Sequence, residues 1–176
     1  MELSFKKLHL IVQSVDFYLK KNSEASNLYI LACATKYMAT KEHELMRVLI
    51  VDDDPILIMV CGRLMKITGF SDEVVSAREG REALQVLEDI FNSSPEKLPE
   101  VILLDINMPV MNGWEFLEDF KRLVMRFPRE IPVYMLSSTI DQADFDKAKT
   151  YPVIKGFYSK PLTKDNLEEI KQTING

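Results

Sequence analysis

Histidine is the residue whose scarcity excludes the most chemistry in this chain. Of its 176 residues only His9 and His43 are histidines, and both lie within residues 1–45. Everything after residue 45 therefore lacks a histidine that could bind a metal, act as a general base or carry a phosphoryl group. Any phosphohistidine that reacts with that segment must come from outside it, and we expect it on another molecule.

Cysteines, long apolar runs and excess positive charge are scarce as well. Cys33 and Cys61 lie far apart without metal-ligand spacing, and we interpret Cys61 as a buried reduced thiol. No apolar stretch approaches the roughly 18 residues that cross a membrane. Lysine and arginine number 22 against 27 acidic residues, and this net charge of −5 argues against nucleic acid as a main partner. We therefore expect a cytoplasmic protein whose partners are neither membranes nor nucleic acids.

Residues 1–45 lack the regular pattern of the rest of the chain. Their two apolar runs, Leu8–Val12 and Leu28–Ala34, are too short and too often interrupted by polar residues for an export signal, although Ile30–Cys33 weakly resembles a lipoprotein cleavage site. Two interpretations stay open: a helical N-terminal extension, or a start codon assigned too far upstream. The second is open because Met46 lies just before the first predicted strand.

Residues 46–176 alternate between apolar strands and amphipathic helices. The strands are predicted within Val48–Asp54, Glu73–Ala77, Val101–Asp105, Val133–Ser137 and Val153–Tyr158. The helices are predicted within Ile56–Ile67, Gly80–Phe91, Gly113–Phe127, Asp141–Lys149 and Thr163–Ile174. Five strands alternating with five helices predict an α/β fold, a flavodoxin-like doubly wound parallel sheet with the strand order 2-1-3-4-5.

Polar residues that end the strands predict one site. Parallel strands bring their carboxyl ends to the same edge of a sheet, where open α/β folds bind ligands. The residues expected at this edge are Asp52, Asp53, Asp105, Ser137 and Lys160. Each of them alone is more often a helix cap or a solvated loop residue, and Asp54 is interpreted as such a cap. Their recurrence at successive strand ends favours a functional site.

Three carboxylates, a hydroxyl and an ammonium suit phosphorylation assisted by a metal ion. Asp52 and Asp53 repel each other, which favours a hard dication such as Mg²⁺, with Mn²⁺ as an alternative. Asp105 can complete the metal site and accept a phosphoryl group as an acyl phosphate. Lys160 would reach the phosphoryl oxygens, and Ser137 offers a short hydroxyl donor.

Five motifs carry a resemblance to a known family. They are VLIVDDDP (Val48–Pro55), AREGREAL (Ala77–Leu84), VILLDINMPVMNG (Val101–Gly113), PVYMLSS (Pro132–Ser138) and GFYSKP (Gly156–Pro161). With them, residues 46–176 resemble the receiver domain of bacterial two-component response regulators, in the stand-alone form of the chemotaxis regulators. Residues 1–45 show no likeness to this family.

The resemblance implies a role for each site residue. Asp105 would be phosphorylated, Asp53 would bind Mg²⁺ directly and Asp52 through water, and the backbone carbonyl of Asn107 would be a further ligand. Lys160 would bind the phosphoryl group, and the Lys160–Pro161 peptide is cis in relatives.

Ser137 and Phe157 would be the switch hydroxyl and the switch aromatic. This chain departs from the commoner family pattern in having Ser137 instead of Thr and Asn112 instead of Asp. Neither change removes a function of the site.

The implied activity is signalling rather than turnover of a substrate. A sensor histidine kinase or a histidine phosphotransfer protein would donate the phosphoryl group to Asp105. The protein would assist its own phosphorylation and dephosphorylation without being an enzyme. Because no output segment follows the last helix, we expect it to act on an unidentified protein target, as a phosphorelay intermediate or a diffusible output.

Two alternatives are weighed against this interpretation. A haloacid-dehalogenase-like phosphatase also forms an aspartyl phosphate, but it needs an acid two residues after the nucleophile, where this chain has Asn107. A receiver-like binding module independent of phosphate is disfavoured because all five strand-end residues are present.

Overall fold

A computed structural model describes residues 46–175 of the chain, with the exception of Ile140. The two interpretations of residues 1–45 therefore concern residues outside the described part. Within that part, the chain alternates strands and helices as the sequence predicts.

The described residues form five strands and five α-helices. The strands are β1 (Arg47–Val51), β2 (Glu73–Ala77), β3 (Val101–Asp105), β4 (Val133–Ser137) and β5 (Ile154–Ser159). The helices are α1 (Pro55–Thr68), α2 (Gly80–Ser93), α3 (Gly113–Val124), α4 (Gln142–Ala148) and α5 (Lys164–Asn175). A 3₁₀ turn at Pro95–Lys97 precedes β3.

The sheet is parallel throughout and has the order β2-β1-β3-β4-β5, so the predicted topology is confirmed. The strand order reverses between β1 and β3, whose last paired residues are Val51 and Leu104. Asp52 and Asp105 lie at or just beyond these strand ends. The topology thus creates a crevice at the position where such folds bind ligands.

Two apolar layers cover the sheet because its central strands are buried on both faces. One layer packs α2 and α3 against the sheet through side chains such as Leu87, Phe116 and Phe120. The other packs α1 and α5 through Met65, Leu167 and others. Strand β3 is buried along its whole length. This packing fixes the strand ends that carry the acidic residues.

Side-chain caps begin the helices that leave the site. Asp54 Oδ1 accepts hydrogen bonds from the N–H groups of Ile56 and Leu57, at 2.8 and 3.3 Å, which confirms Asp54 as the cap of α1. Asn112 and Glu115 form a reciprocal capping box at the start of α3. Asn112 is therefore a competent cap in place of the commoner Asp.

Two details of the helices differ from the sequence pattern or add to it. Helix α3 ends at Val124, earlier than the predicted Phe127, because Pro128 disfavours helical backbone before it and Phe127 turns into the core against Phe91 and Phe120. On α1, most of the apolar residues that recur at helical spacing face outward. Ile56, Met59 and Ile67 are 66%, 65% and 74% exposed.

Candidate functional site

Three carboxylates converge at the carboxyl ends of β1 and β3. Asp52, Asp53 and Asp105 each place a carboxylate oxygen so that the three atoms lie within 4.8 Å of one another. Asp52 and Asp105 are buried, whereas Asp53 is exposed. The predicted acidic cluster therefore exists, with one carboxylate open to solvent and two inside the protein.

Lys160 lies between the two buried carboxylates. Its Nζ is 2.6 Å from Asp52 Oδ2 and 2.8 Å from Asp105 Oδ2, and its side chain is only 10% exposed. Strand β5 ends next to β4 at Ser159, and the cis peptide between Lys160 and Pro161 follows. The ammonium reaches Asp52 and Asp105 from the end of β5, which is two strands away from β3 in the sheet.

Burial and the charges of this pocket shift the pKa values of Asp52 and Lys160. Burial raises the pKa of Asp52, and the lowering effects of Lys160 and of the Asp54 N–H do not cancel it. Burial by itself lowers the pKa of Lys160, but its contacts with Asp105 and Asp52 outweigh this, so the pKa is raised overall. Lys160 is therefore held as a cation, whereas burial disfavours the charged carboxylate form of Asp52.

The donor set fits a hard divalent cation. Carboxylate oxygens are the ligands that Mg²⁺ prefers, and it commonly takes one or two of them together with water. Asp52 Oδ2 is buried and lacks a well-aligned hydrogen-bond donor, although Lys160 Nζ approaches it. A second positive charge near this oxygen would relieve the repulsion among the three acids.

The loop that follows Asp105 is folded tightly around it. Asn107 N–H donates to Asp105 Oδ1 at 3.3 Å, and Gly113 N–H donates to the Ile106 carbonyl at 2.9 Å. A Cβ atom on Gly113 would lie 2.4 Å from the Asp105 carbonyl oxygen, so a larger residue has no room there. Asn107 is thereby held next to the phosphoacceptor position that the sequence predicts.

Ser137 lies at the predicted strand end, but its hydroxyl is bonded locally. Its Oγ donates to the Thr139 carbonyl at 2.6 Å and accepts from the Thr139 N–H at 3.3 Å. The side chain is buried, and the Ser137 carbonyl accepts from the Lys160 N–H. The structure therefore brings the backbone of Ser137 to the site, whereas the hydroxyl is engaged with its own loop.

Phe157 belongs to an aromatic cluster that sequence reasoning did not identify. Its ring centroid is 5.1 Å from that of Phe145 on α4 and 6.4 Å from that of Trp114 on α3. Trp114 in turn packs 5.7 Å from Tyr151, and Lys147 Nζ lies 4.5 Å above the indole. Trp114 is about 30 residues or more away from the other four in sequence, and the five share no periodic signal, so only the tertiary structure brings them together.

Fold and site together define a doubly wound α/β domain with a buried aspartate, a lysine and two further acids at its switch point. The model of the family described as "Response regulator receiver domain" matches residues 48–172. The chain belongs to this family of two-component signalling proteins.

Solved structures with the same fold are similar over most of the described part. A two-component response regulator from Cytophaga hutchinsonii aligns with a TM-score of 0.69 at 29% identity, covering 75% of this chain and 98% of the other. The receiver domain of the histidine kinase CKI1 from Arabidopsis thaliana, in complex with Mg²⁺ and BeF₃⁻, aligns with a TM-score of 0.64 at 25% identity. That alignment covers 74% of this chain and 89% of the other.

Curated relatives are similar in sequence. The probable methanogenesis regulatory protein FilR2 from Methanothrix harundinacea is 30% identical over 127 residues, which are 72% of this chain and 77% of the relative. A protein-glutamate methylesterase/protein-glutamine glutaminase from Treponema denticola is 40% identical over 92 residues, which are 52% of this chain. The match spans only about a fifth of the length of such methylesterases, 22% and 20% in two treponemal proteins.

These comparisons place the chain in a general role. As a receiver domain it is a phosphoacceptor, and receiver domains bind Mg²⁺ at an acidic pocket and interact with histidine kinases or phosphotransfer partners. Among the described residues, no helix combines the length and the apolar character needed to cross a membrane.

Proposed function

We propose that Asp105 accepts a phosphoryl group from the phosphohistidine of a sensor histidine kinase or a histidine phosphotransfer protein, in a Mg²⁺-dependent reaction. One observation carries the proposal. Asp105 is buried at the end of the central strand, 2.8 Å from Lys160 and within 4.8 Å of two further carboxylate oxygens.

The residues around Asp105 have complementary tasks in this transfer. Asp53, Asp52 and the Asn107 carbonyl would hold Mg²⁺, which when bound offsets the negative charge of the transferring group. One Asp105 carboxylate oxygen forms a bond to phosphorus as the phosphorus–nitrogen bond of the donor breaks, and the imidazole nitrogen regains a proton from solvent. Lys160 binds a phosphoryl oxygen through its ammonium.

Ser137 and Phe157 respond to the phosphoryl group. The aspartyl phosphate adds negative charge and acceptor oxygens close to β4. The Ser137 hydroxyl then exchanges its hydrogen bond with the Thr139 carbonyl for one with the phosphoryl group. The loop after β4 moves with it, and Phe157 changes its packing against Phe145 and Trp114.

The phosphoryl donor docks beside the site on α1. Ile56, Met59 and Val60 are exposed at 66%, 65% and 49%, and they lie on the first turns of a helix that starts just after Asp54. An exposed apolar stripe of this kind is typical of surfaces that receive an amphipathic partner helix. The partner would present its phosphohistidine to Asp105 from there.

Beyond this reaction, we propose that the receiver comprises residues 46–176 and that residues 1–45 are an N-terminal extension or a misassigned start. We also propose that the protein signals in the cytoplasm. Its output is contact with a protein target, as a relay intermediate or a diffusible regulator. Phosphotransfer to chains that begin at Met1 and at Met46, from the same donor, will test whether residues 1–45 contribute.

The test uses the chain's single tryptophan, Trp114, which packs against Phe157. Beryllofluoride with Mg²⁺ imitates the phosphorylated state, and we expect it to change the fluorescence of Trp114. Asp105→Ala should abolish this change because the acceptor carboxylate is gone. Phosphotransfer from a phosphorylated donor, followed with ³²P, should be lost in the same variant.

Asp119→Ala is the matched control, since this exposed acid lies on α3 away from the pocket. It should respond as the unchanged protein does. A Mg²⁺-dependent beryllofluoride response that persists in Asp105→Ala would contradict the proposal.

A further inference from the structure

The loop between β3 and α3 contains a residue in a strained backbone conformation. Val110 has a φ angle of 66°, in the left-handed region that β-branched residues rarely adopt. Met111 N–H donates to the Pro109 carbonyl at 2.8 Å, so a three-residue γ-type turn closes around Val110. The Val110 side chain is 81% exposed, which means that its burial does not stabilise this conformation. Backbone contacts next to Val110 must hold the turn.

One such contact comes from the start of α2. Gly80 N–H donates to the Met111 carbonyl at 3.1 Å. The Met111 side chain is buried and fills the space that a Cβ on residue 80 would need. Such a Cβ would lie 2.6 Å from Met111 Cγ, 2.8 Å from Met111 Sδ and 2.9 Å from Phe116 Cβ. The hydrogen bond and this close packing are together called the Gly80–Met111 contact.

The contact fixes a short piece of chain that begins at a proposed metal ligand. Only Met108, Pro109 and Val110 separate Asn107 from Met111, and proline has a restricted φ angle. The other end of the loop is fixed by the hydrogen bond from Gly113 to Ile106. A shift of Met111 is therefore transmitted to the Asn107 backbone, because the intervening residues have little freedom to absorb it.

We infer that Gly80 is a positioning residue for the metal site. Through Met111 it holds the strained turn at Val110 and so places the Asn107 carbonyl beside Asp105. This gives Gly80 a physical role within the AREG segment at residues 77–80, whose first residue already meets the site through the hydrogen bond from Asp52 N–H to the Ala77 carbonyl at 3.0 Å. The inference rests on the proposed Mg²⁺ site.

The test compares Gly80→Ala with Gly62→Ala. Gly62 lies inside α1, and a Cβ there would meet no atom within 4 Å, so its substitution tests an added methyl group without a clash. The Mg²⁺ dissociation constant is measured from Trp114 fluorescence. We expect Gly80→Ala to raise it roughly tenfold, as changes around metal ligands commonly do, whereas Gly62→Ala leaves it within about twofold.

Hydrogen exchange of the metal-free protein provides a second measurement. In Gly80→Ala, the Met111 amide should exchange faster because the turn at Val110 is no longer held. Adding Met111→Ala removes two of the three atoms that the new Cβ meets, so the double variant should recover part of the Mg²⁺ affinity. A recovery of Mg²⁺ affinity without a matching recovery of thermal stability would separate positioning of the metal site from an effect on general stability.

The outcomes separate this inference from the proposed function. If the unchanged protein shows no Mg²⁺-dependent signal, the proposed metal site is wrong. If it binds Mg²⁺ and a folded Gly80→Ala binds equally well, only the role of Gly80 is overturned, even when its thermal stability falls. Should Gly80→Ala fail to fold, Met111→Ala removes the packing part of the contact. An unchanged dissociation constant together with an unchanged exchange rate of the residue 111 amide in that variant overturns the inference.

Discussion

At the scale of single residues, Asp52 and Asp53 differ greatly although they are neighbours. Asp52 is buried against Lys160, whereas Asp53 is open to solvent. Burial of a carboxylate disfavours its charged form, and the raised pKa of Asp52 shows that Lys160 does not fully compensate. The native fold therefore keeps an acid at a position where its charge destabilises the metal-free protein, as is common at functional sites.

Asp52→Asn should raise the melting temperature of the metal-free protein at neutral pH because it removes this buried charge. A carboxyl whose pKa is higher in the folded state binds its proton more tightly there than in the unfolded chain. The unchanged protein should therefore lose stability relative to the variant as the pH rises from about 4 to the raised native pKa. Below about pH 4 the two should converge.

Thermal unfolding in a chelating buffer between pH 4 and 8 measures this difference. Asp53→Asn is the matched control, because an exposed carboxylate should change stability little. A variant at residue 52 that is less stable at neutral pH would mean that the attraction to Lys160 outweighs burial.

At the scale of elements, α1 combines two apolar surfaces. Cys61 and Met65 face the core, while Ile56, Met59 and Val60 face outward. Burial raises the pKa of the Cys61 thiol to about 11, so this side chain stays protonated and behaves as part of the core. Among residues 46–175, the outward side chains stay largely exposed, so we expect this surface to be open to a partner.

Met59→Glu with Val60→Glu should slow phosphotransfer from a protein donor at least about tenfold, since each buried apolar anchor at an interface contributes on the order of 1 kcal/mol or more. Phosphorylation by acetyl phosphate should stay unchanged, because this small donor needs no docking surface. Trp114 fluorescence follows both reactions.

Lys66→Gln is the control on the same helix, where an exposed charge is removed about two turns beyond Met59. It should leave both reactions unchanged. Equal slowing of the two donors by the glutamate variants would indicate damage to the site instead of lost docking.

At the scale of the whole molecule, the acidic pocket links metal binding to stability. A ligand that binds only the folded state stabilises it by RT ln(1 + [L]/Kd), which is about 2.7 kcal/mol at a concentration of 100 Kd. Mg²⁺ near Asp52, Asp53 and Asp105 would also relieve the repulsion among these acids. The three residues come from two strands, so the ion would join β1 to β3.

The melting temperature of the unchanged protein should accordingly rise as Mg²⁺ is added, by several degrees at saturation. Asp53→Asn should reduce this rise in melting temperature strongly, because we expect the solvent-exposed Asp53 carboxylate to bind the ion directly. Na⁺ at matched ionic strength separates specific binding from charge screening. An equal rise in the Asp53→Asn variant would place the ion elsewhere.

The sequence by itself determined the order of the elements and most of the site. Buried parallel strands are short apolar runs with local boundaries, and their alternation with amphipathic helices restricts the topology to few choices. Because parallel strands end at one edge, Asp52, Asp105 and Lys160 were bound to meet once β1, β3 and β5 formed. The cap at Asp54 was equally local.

Only the tertiary structure decided which surfaces are covered and which groups are engaged. The spacing of Ile56, Met59 and Val60 shows that they share a face of α1, but their exposure depends on what the rest of the chain packs against. The Ser137 hydroxyl and the turn at Val110 likewise depend on contacts. Sequence periodicity determines which side chains share a face of a helix or strand. Long-range packing determines whether each side chain is buried and which groups it contacts.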